Sequence, residues 1–501
     1  MTATATLPPA GAAPAPAVRS IGEKAVRGGL IAIGGQLGGT LLQLTSYVLL
    51  ARVLSPDDYG VVGMASAAVG FAGTLNDFGL TSATIQRKHL TQAQASTVFW
   101  INLALSAGLT LALAVSSPAI GVVFGDSRVT YATAATSLTF LFMAGGAQHA
   151  AQLRRELRFG VVTAVLLVST ALGTLVAWEL ARRGAGYWAL VARELVRSAS
   201  STVAIWLVSP WRPGRPRRGT GVRSMVRFGS ELTGFGVLNY LARNVDNALI
   251  GRFWGAAALG IYSRAYGLLL LPLSQINWPL SKVALPALSR LIDDPQGYRR
   301  AYLRAVDKVA MLTIPGVALL IVCSDWFIDV LLGPKWAAVA VTFRILGVAG
   351  LMQPVTNTVG WLFASQGRTR DMLVSGGINC GILLAAIVAG LSWGGNGVAL
   401  AYVVAQPITG VVAHAYAGRQ GPVRALDIWK VIGTFGTSAL VVIAALVGLR
   451  VAAPGLHGWA GISVSVVITV AVTLVTLAAT ARGRASMADA LAMARAVGRA
   501  K

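Results

Sequence analysis

Two cysteines in 501 residues, Cys323 and Cys380, are too few for a disulfide framework or a thiolate metal site. The four histidines, His89, His149, His414 and His457, are scattered without the short spacing that a zinc site uses. Charge is scarce too: Asp, Glu, Lys and Arg make up 12% of the chain, against about 25% in a soluble domain. No Walker-type glycine loop and no HExxH motif occur, which excludes ATP hydrolysis by this chain and zinc-protease chemistry of that kind. No connector is long enough to hold a catalytic domain. These absences predict a protein that is not an enzyme and has no resident cofactor.

What the chain has in abundance is apolar sequence, 55% by residue, with a mean hydropathy of +0.67. It falls into about fourteen stretches, near 27–51, 61–86, 96–117, 129–150, 160–181, 187–208, 225–250, 260–285, 306–328, 338–364, 371–391, 397–418, 431–452 and 459–480. A helix needs about 20 such residues to cross a bilayer, because its backbone polar groups must be satisfied within the segment. The expected fold is therefore an all-α integral membrane protein. Net charge of +24 does not point to nucleic acid, since the basic residues are spread over many short loops. With a cytoplasmic N-terminus, 29 Lys and Arg lie inside and 7 outside, which predicts that both termini are cytoplasmic.

Residues 1–24, with Pro8, Pro9, Pro14 and Pro16 and no basic start, read as a disordered cytoplasmic tail. Spans 1–6 form an N-lobe, 25–208, and spans 7–12 a C-lobe, 225–418. Between them SPWRPGRPRRGTGVRS, 209–224, reads as a hinge-like cytoplasmic linker. ARVLSPDDYGVVGMA at 51–65 aligns without gaps onto GRFWGAAALGIYSRA at 251–265, pairing Arg52 with Arg252, Gly60 with Gly260 and Ala65 with Ala265. VVFGDSR at 122–128 against VLLGPKW at 330–336 pairs Gly125 with Gly333. Such a repeat signals duplication, and six spans per unit is even, so the lobes should be related by an axis along the membrane normal. Two further helices, 431–480, lie outside the repeat. The tail, 481–501, has a weak amphipathic, basic pattern that suits an anionic leaflet or a disordered segment.

Polar side chains inside spans carry the functional signal, because a charge at mid-bilayer costs about 2.5–3.5 kcal/mol. In the first span Gln36, Thr40, Gln43 and Tyr47 share one helical face. The second span holds Asn76 and Asp77, the sixth Arg193, Glu194 and Arg197. Asn239, Arg243 and Asp246 line up on the seventh, Arg264, Gln275, Trp278 and Lys282 on the eighth, and Gln353, Asn357 and Trp361 on the tenth. Converging stripes would make a wet, net-cationic interior suited to an anionic, sugar-bearing ligand, since arginine grips phosphate and aromatic faces pack on sugars. The other reading of the same stripes is helix-to-helix glue, with Arg243 pairing Asp246 and Arg193 pairing Glu194. Lys282 and Arg344 have the further option of snorkelling to an interface. Asp57 and Asp58, which an enzyme reading would make catalytic, sit in a helix start with Ser55 as cap and Pro56 in the first turn. The candidate substrate-binding set is Gln36, Gln43, Tyr47, Asn76, Asp77, Arg193, Arg197, Asn239, Arg243, Asp246, Arg264, Gln275, Trp278, Gln353 and Asn357.

The runs ARVLSPDDYGVVGMA, NDFGLTSATIQRKHLTQAQASTVFWINL, QLRRELRF, RNVDNALIGRFWGAAALGIYSRAY and LLGPKWAAV resemble the polysaccharide-transport flippases of the multidrug/oligosaccharidyl-lipid/polysaccharide exporter superfamily. The resemblance covers about residues 25–420. It implies a bacterial inner-membrane flippase that moves an undecaprenyl-pyrophosphate-linked oligosaccharide between leaflets for capsule, exopolysaccharide or O-antigen assembly. The partners it implies are the lipid-linked glycan, membrane lipids and the polymerase and glycosyltransferases of the same route. It also implies a central cavity lined by helices 1, 2, 7 and 8, here the spans holding Gln36, Gln43, Asp77, Arg243, Asp246 and Arg264. Coupling to an ion, H+ or Na+, is implied by relatives without a motif here that chooses between them. Two rival readings are a drug or small-solute antiporter of the same superfamily, which calls for an anionic cavity, and a membrane glycosyltransferase or polymerase, which calls for essential outside acids.

Overall fold

The structure, a computed structural model, describes residues 16–76, 79–87, 90–217, 219 and 223–499. Among them there are helices and turns and no strand. In order these are α1 (Pro16–Val53), α2 (Pro56–Asn76), α3 (Leu80–Gln86), α4 (Gln92–Phe124), α5 (Ser127–Ser137), α6 (Thr139–Arg155), α7 (Phe159–Arg182), α8 (Tyr187–Val208) and α9 (Arg223–Ser289). They continue as α10 (Pro295–Val322), α11 (Ser324–Leu332), α12 (Ala337–Gly350), α13 (Gln353–Asn357), α14 (Val359–Ser365), α15 (Thr369–Gly390), α16 (Gly394–Gly418), α17 (Ala425–Ala452), α18 (Gly458–Ala479) and α19 (Ala481–Arg499).

Several sequence spans arrive in pieces, and the breaks have local causes. Gly79, at φ +63°, stands between α2 and α3, so the second span is two helices. The tenth span is α12 followed by α13 and α14 at a 50° bend, with Pro354 in the first turn of α13. Conversely, α9 holds two spans. Gly255, at φ +80°, breaks its helical path, and Asp246 then meets Tyr262 at 2.8 Å, which a straight helix would hold about 24 Å apart. A similar reversal at Gly394, φ +74°, joins α15 to α16, whose Gly390 and Gly397 approach too closely for a side chain at either. By length and composition seven described helices are able to cross a membrane, or eight if the bent pair counts as one span. α8 falls outside that number because Arg193, Glu194 and Arg197 interrupt its centre.

The chain divides into two compact units. One gathers the residues up to Val53, Ala68–Ile120 and Thr130–Tyr240; the other gathers Leu54–Ala67, Gly121–Val129 and Leu241 onward. The start of α2 belongs with the second unit because it lies directly on α9. A Cβ on Gly60 would sit 1.7 Å from the carbonyl oxygen of Ala256, and one on Gly260 would sit 1.8 Å from that of Pro56. The two glycines paired by the sequence repeat are therefore the two that let these helices cross. Their environments match elsewhere as well: Ala65 and Ala265 are both buried, and Gly125 and Gly333 both adopt positive φ at corresponding turns.

In the first unit, α1 packs on α7 through Gly35, Gly38 and Gly39, which face Thr163 and Leu167. The linker after α8 does not hang free over its first half. Gln92 donates to the carbonyl of Arg212, Trp100 to that of Gly214, and the Gly214 amide to Ser96, which fastens residues 211–217 across the start of α4. In the second unit, α10 is the centre, with Tyr298, Tyr302, Val306 and Val309 buried against α14 and α17. The Tyr298 and Tyr302 hydroxyls meet Ser365 at 2.6 Å and Thr358 at 2.9 Å, which avoids the roughly 1–3 kcal/mol penalty of an orphaned buried group. α17 and α18 attach to this core. The tail forms α19, docked on α10: Arg482 pairs with Asp307 and Arg304 with Asp489, while Lys308 donates to the carbonyl of Ser486. Large apolar side chains stand outward on α4, α16, α17 and α18, such as Val115, Val404, Leu440 and Val467, each more than half exposed. Water would oppose such a surface, and lipid accepts it.

Candidate functional site

The polar residues of the second unit converge around Asp246. Folding back at Gly255 sets Tyr262 opposite it, and the Tyr262 hydroxyl donates to Oδ2 while the Asn247 amide donates to Oδ1, both at 2.8 Å. Asp246 is 7% exposed, so these two bonds offset part of the cost of burying a carboxylate. Tyr262 stacks on Tyr266 one turn later, with ring centres 6.2 Å apart and planes within 4°. Tyr266 meets Tyr402 of α16 edge-on at 6.2 Å, and Gln353 Nε2 donates to the Tyr402 hydroxyl at 3.4 Å. The result is a continuous chain of one carboxylate, three phenols and an amide. Arg243 lies on the same helix one turn before Asp246, with its side chain exposed.

A second cluster lies where α2 begins. The guanidinium of Arg264 sits 3.9 Å over the ring of Tyr59, which in turn meets Trp336 edge-on at 5.4 Å. A partly desolvated cation over an aromatic face contributes about 1–2 kcal/mol. Asp57 and Asp58 are engaged nearby in structural roles. Asp58 and Ser55 form a capping box, Asp58 accepting from the Ser55 amide at 2.9 Å and Ser55 Oγ accepting from the Asp58 amide at 3.2 Å. Asp57 and Asp126 share Arg128, and hydrogen bonding from that arginine holds the Asp126 carboxyl below its ordinary range. The acids that a glycosyltransferase reading would need are thus those that fasten the turn.

In the first unit the polar residues pair locally. Glu194 binds Arg193 at 2.9 Å and Arg197 at 2.8 Å, and Arg193 also reaches Ser46 of α1 at 3.3 Å. Asn76 is buried and accepts from Ser106 of α4 at 2.7 Å. Gln36 and Gln43 are exposed and Tyr47 half-buried on α1, with Gln43 donating to Tyr47 at 3.4 Å. Gln275 is half-buried on α9, and Asn357 is exposed at the end of α13. Asp77 lies outside the described residues, as do the side chains of Asn239 and Trp278. Asp246, Gln353 and, by position, Arg243 thus belong to one cluster, while Arg193, Arg197 and Asn76 belong to the other unit. Sequence reading missed Tyr262, Tyr266 and Tyr402, because an i, i+4 tyrosine pair on an apolar helix has the same signature as core packing.

Compared with solved structures, the fold matches that of lipid II flippase MurJ in its inward closed conformation with a TM-score of 0.69, over 89% of this chain and 97% of that one. At 15% identity, the likeness is one of fold. The chain is an all-α, multi-pass membrane protein. Among sequence relatives, it is 27% identical to the lipopolysaccharide biosynthesis protein WzxC of Escherichia coli K12 over 385 residues, 75% of this chain and 77% of that protein. It is 28% identical to the teichuronic acid biosynthesis protein TuaB of Bacillus subtilis 168, over 66% of this chain and 68% of that one. The family described as "Polysaccharide biosynthesis protein" matches residues 49–341, and the chain belongs to it.

Proposed function

We propose that this protein is a flippase that carries an undecaprenyl-pyrophosphate-linked oligosaccharide across the bacterial inner membrane, for the assembly of an exopolysaccharide, capsule or O-antigen. The observation that carries the reading is family membership across residues 49–341, in a chain with a transporter fold and no catalytic constellation in its sequence. Relatives named for two different polymers align over most of this chain, which suits a protein whose task is common to many glycans.

The mechanism is alternating access: the glycan crosses along a polar path while its lipid tail stays in the bilayer. Both termini are cytoplasmic in this reading, which the excess of Lys and Arg in the inside loops supports. Arg243 and Arg264 serve the pyrophosphate, and Gln353 and the tyrosines beside Asp246 serve sugar hydroxyls. Gln36, Gln43 and Tyr47 offer a further hydrogen-bonding face on α1. Asp246 is the group at which a coupling cation, H+ or Na+, acts. Loss of the protein in its own bacterium should trap lipid-linked oligosaccharide in the inner leaflet and abolish surface polymer, and a variant lacking both Arg243 and Arg264 should reproduce that loss while remaining folded. Normal surface polymer in the deletion strain would refute the function.

A further inference from the structure

We propose that α6, α7 and α8 form a site for the phosphate ester of a polyol, with the phosphate held by Arg154 and the hydroxyls received in the slot behind it. The slot is half-open and about 250 Å³, just below the size of drug-sized pockets, so it suits one sugar or glycerol unit rather than an oligosaccharide. Its floor is the small-residue face of α6, Gly146, Ala147 and Ala150. Ser198, Ser201 and Thr202 of α8 supply hydroxyls along one wall.

The charges lie at opposite ends. Thr202 donates to the carbonyl of Phe142, which fixes the register of α8 against α6. Arg197 is five residues before Thr202, about 7.5 Å along the axis, and Arg154 is twelve residues beyond Phe142, about 18 Å in the other direction. Arg197 is already bound to Glu194. The Arg154 side chain makes no hydrogen bond or ion pair among the described residues, and helical side chains lean toward the N-terminal end, here toward the slot. Its neighbour Arg155 is spent on structure, donating to the carbonyls of Thr84 at 2.8 Å and Arg87 at 2.5 Å to close α3. No acid lines the slot, so its field favours an anion.

The turn that carries Arg154 is also strained. Leu157 adopts φ +59°, where the Arg158 amide bonds the carbonyl of Leu153 and the Leu157 amide that of Arg154. The corresponding turn of the other unit makes the same bonds from Arg368 to Phe363 and from Gly367 to Ala364, with glycine at the left-handed position. Backbone strain of this kind collects at ligand sites.

Two sources share this chemistry: the glycosyl diphosphate end of the lipid carrier, which rests on the proposed transport, and the headgroup of a resident phosphatidylglycerol, which does not. The test is binding by the full-length protein in detergent, read by native mass spectrometry. The probes are a short-chain polyprenyl diphosphate bearing one sugar and a short-chain phosphatidylglycerol. Arg154→Gln should weaken one of them about 10- to 100-fold, the loss of a charge-assisted phosphate contact. Arg154→Lys should stay within a few-fold of wild type, and Ala147→Leu, which fills the slot, should reproduce the Gln variant's loss. Carrier binding that depends on Arg154 assigns the slot to the substrate, and phospholipid binding that depends on it assigns a resident lipid; each upholds the site. Equal binding of both probes by wild type and Arg154→Gln overturns it, as does wild-type protein that binds neither. In the first of these overturning outcomes, carrier binding that survives Arg154→Gln still leaves the transport proposal standing.

Discussion

Replacing Gly260 by alanine should break the crossing of α2 over α9. The new Cβ would lie 1.8 Å from the carbonyl oxygen of Pro56, where the tightest real contacts are 3.0–3.4 Å, so the two backbones must part by about 1.2–1.6 Å. No rotamer relieves this, because the obstacle is main chain. The cost belongs in the upper part of the overpacking range, about 2–3 kcal/mol. Separation also pulls on the Ser55–Asp58 capping box and on the Asp57–Arg128 pair, both of which depend on where α2 starts. The control is Gly267→Ala on the same helix, where a Cβ meets nothing within 4 Å and alanine improves helix propensity by about 1 kcal/mol. Purified variants would be heated in detergent and the surviving monodisperse fraction measured by size exclusion. Gly260→Ala should melt several degrees below wild type and Gly267→Ala at or above it. If the two variants melt alike, the crossing at Gly260 is not tight and the packing argument fails.

Asp246→Asn should abolish transport with the fold intact, since the amide still accepts from Tyr262, and Tyr262→Phe should reduce it less; transport unchanged in Asp246→Asn would remove that residue from the mechanism. The Asp126 carboxyl, held below its ordinary value of 3.8 by Arg128, contributes stability that is complete above about pH 5 and is lost as pH falls through 3.8 and on through the lowered native value. Thermal challenge of wild type and Arg128→Ala should therefore show a gap at pH 5–6 that narrows near pH 3, and a gap independent of pH would refute the pairing. Exchanging the residues at the duplicated turn should have unequal effects: Leu157→Gly should leave stability equal or slightly raised, and Gly367→Leu should cost about 1–2 kcal/mol, measured as loss of monodisperse protein on heating.

Much of the architecture was legible because membrane insertion writes itself into composition: runs of apolar residues and loops of alternating basicity fix a polytopic helical chain. The repeat was legible for a sharper reason. Gly60 and Gly260 are invisible to hydropathy, yet they recur at equal offset because backbone crosses backbone at both, and only glycine fits. The breaks within spans were less legible, since the bend before Gln353 and the division at Gly79 leave the apolar count unchanged. At the candidate site, charged residues announced themselves by their cost, but their partners did not. The spacing offers Asp246 a partner in Arg243 at i, i+3 as one of two readings, and it gives no sign of Tyr262, sixteen residues on, because the reversal at Gly255 that brings the two together is a tertiary event. Arg154 carried no signal at all, being one of several basic residues in a loop until Arg155 was seen to be spent on closing α3.

The most direct measurement is transbilayer movement by the purified protein in proteoliposomes, using a fluorescent polyprenyl-diphosphate oligosaccharide and a membrane-impermeant quencher of the glycan label. A flippase predicts that the quenched fraction rises from the outer-leaflet share toward completion in vesicles holding the wild-type protein, and stays at that share with the Arg243/Arg264 double variant. Identical quenching in protein-containing and protein-free vesicles, under coupling gradients of either H+ or Na+, would contradict it.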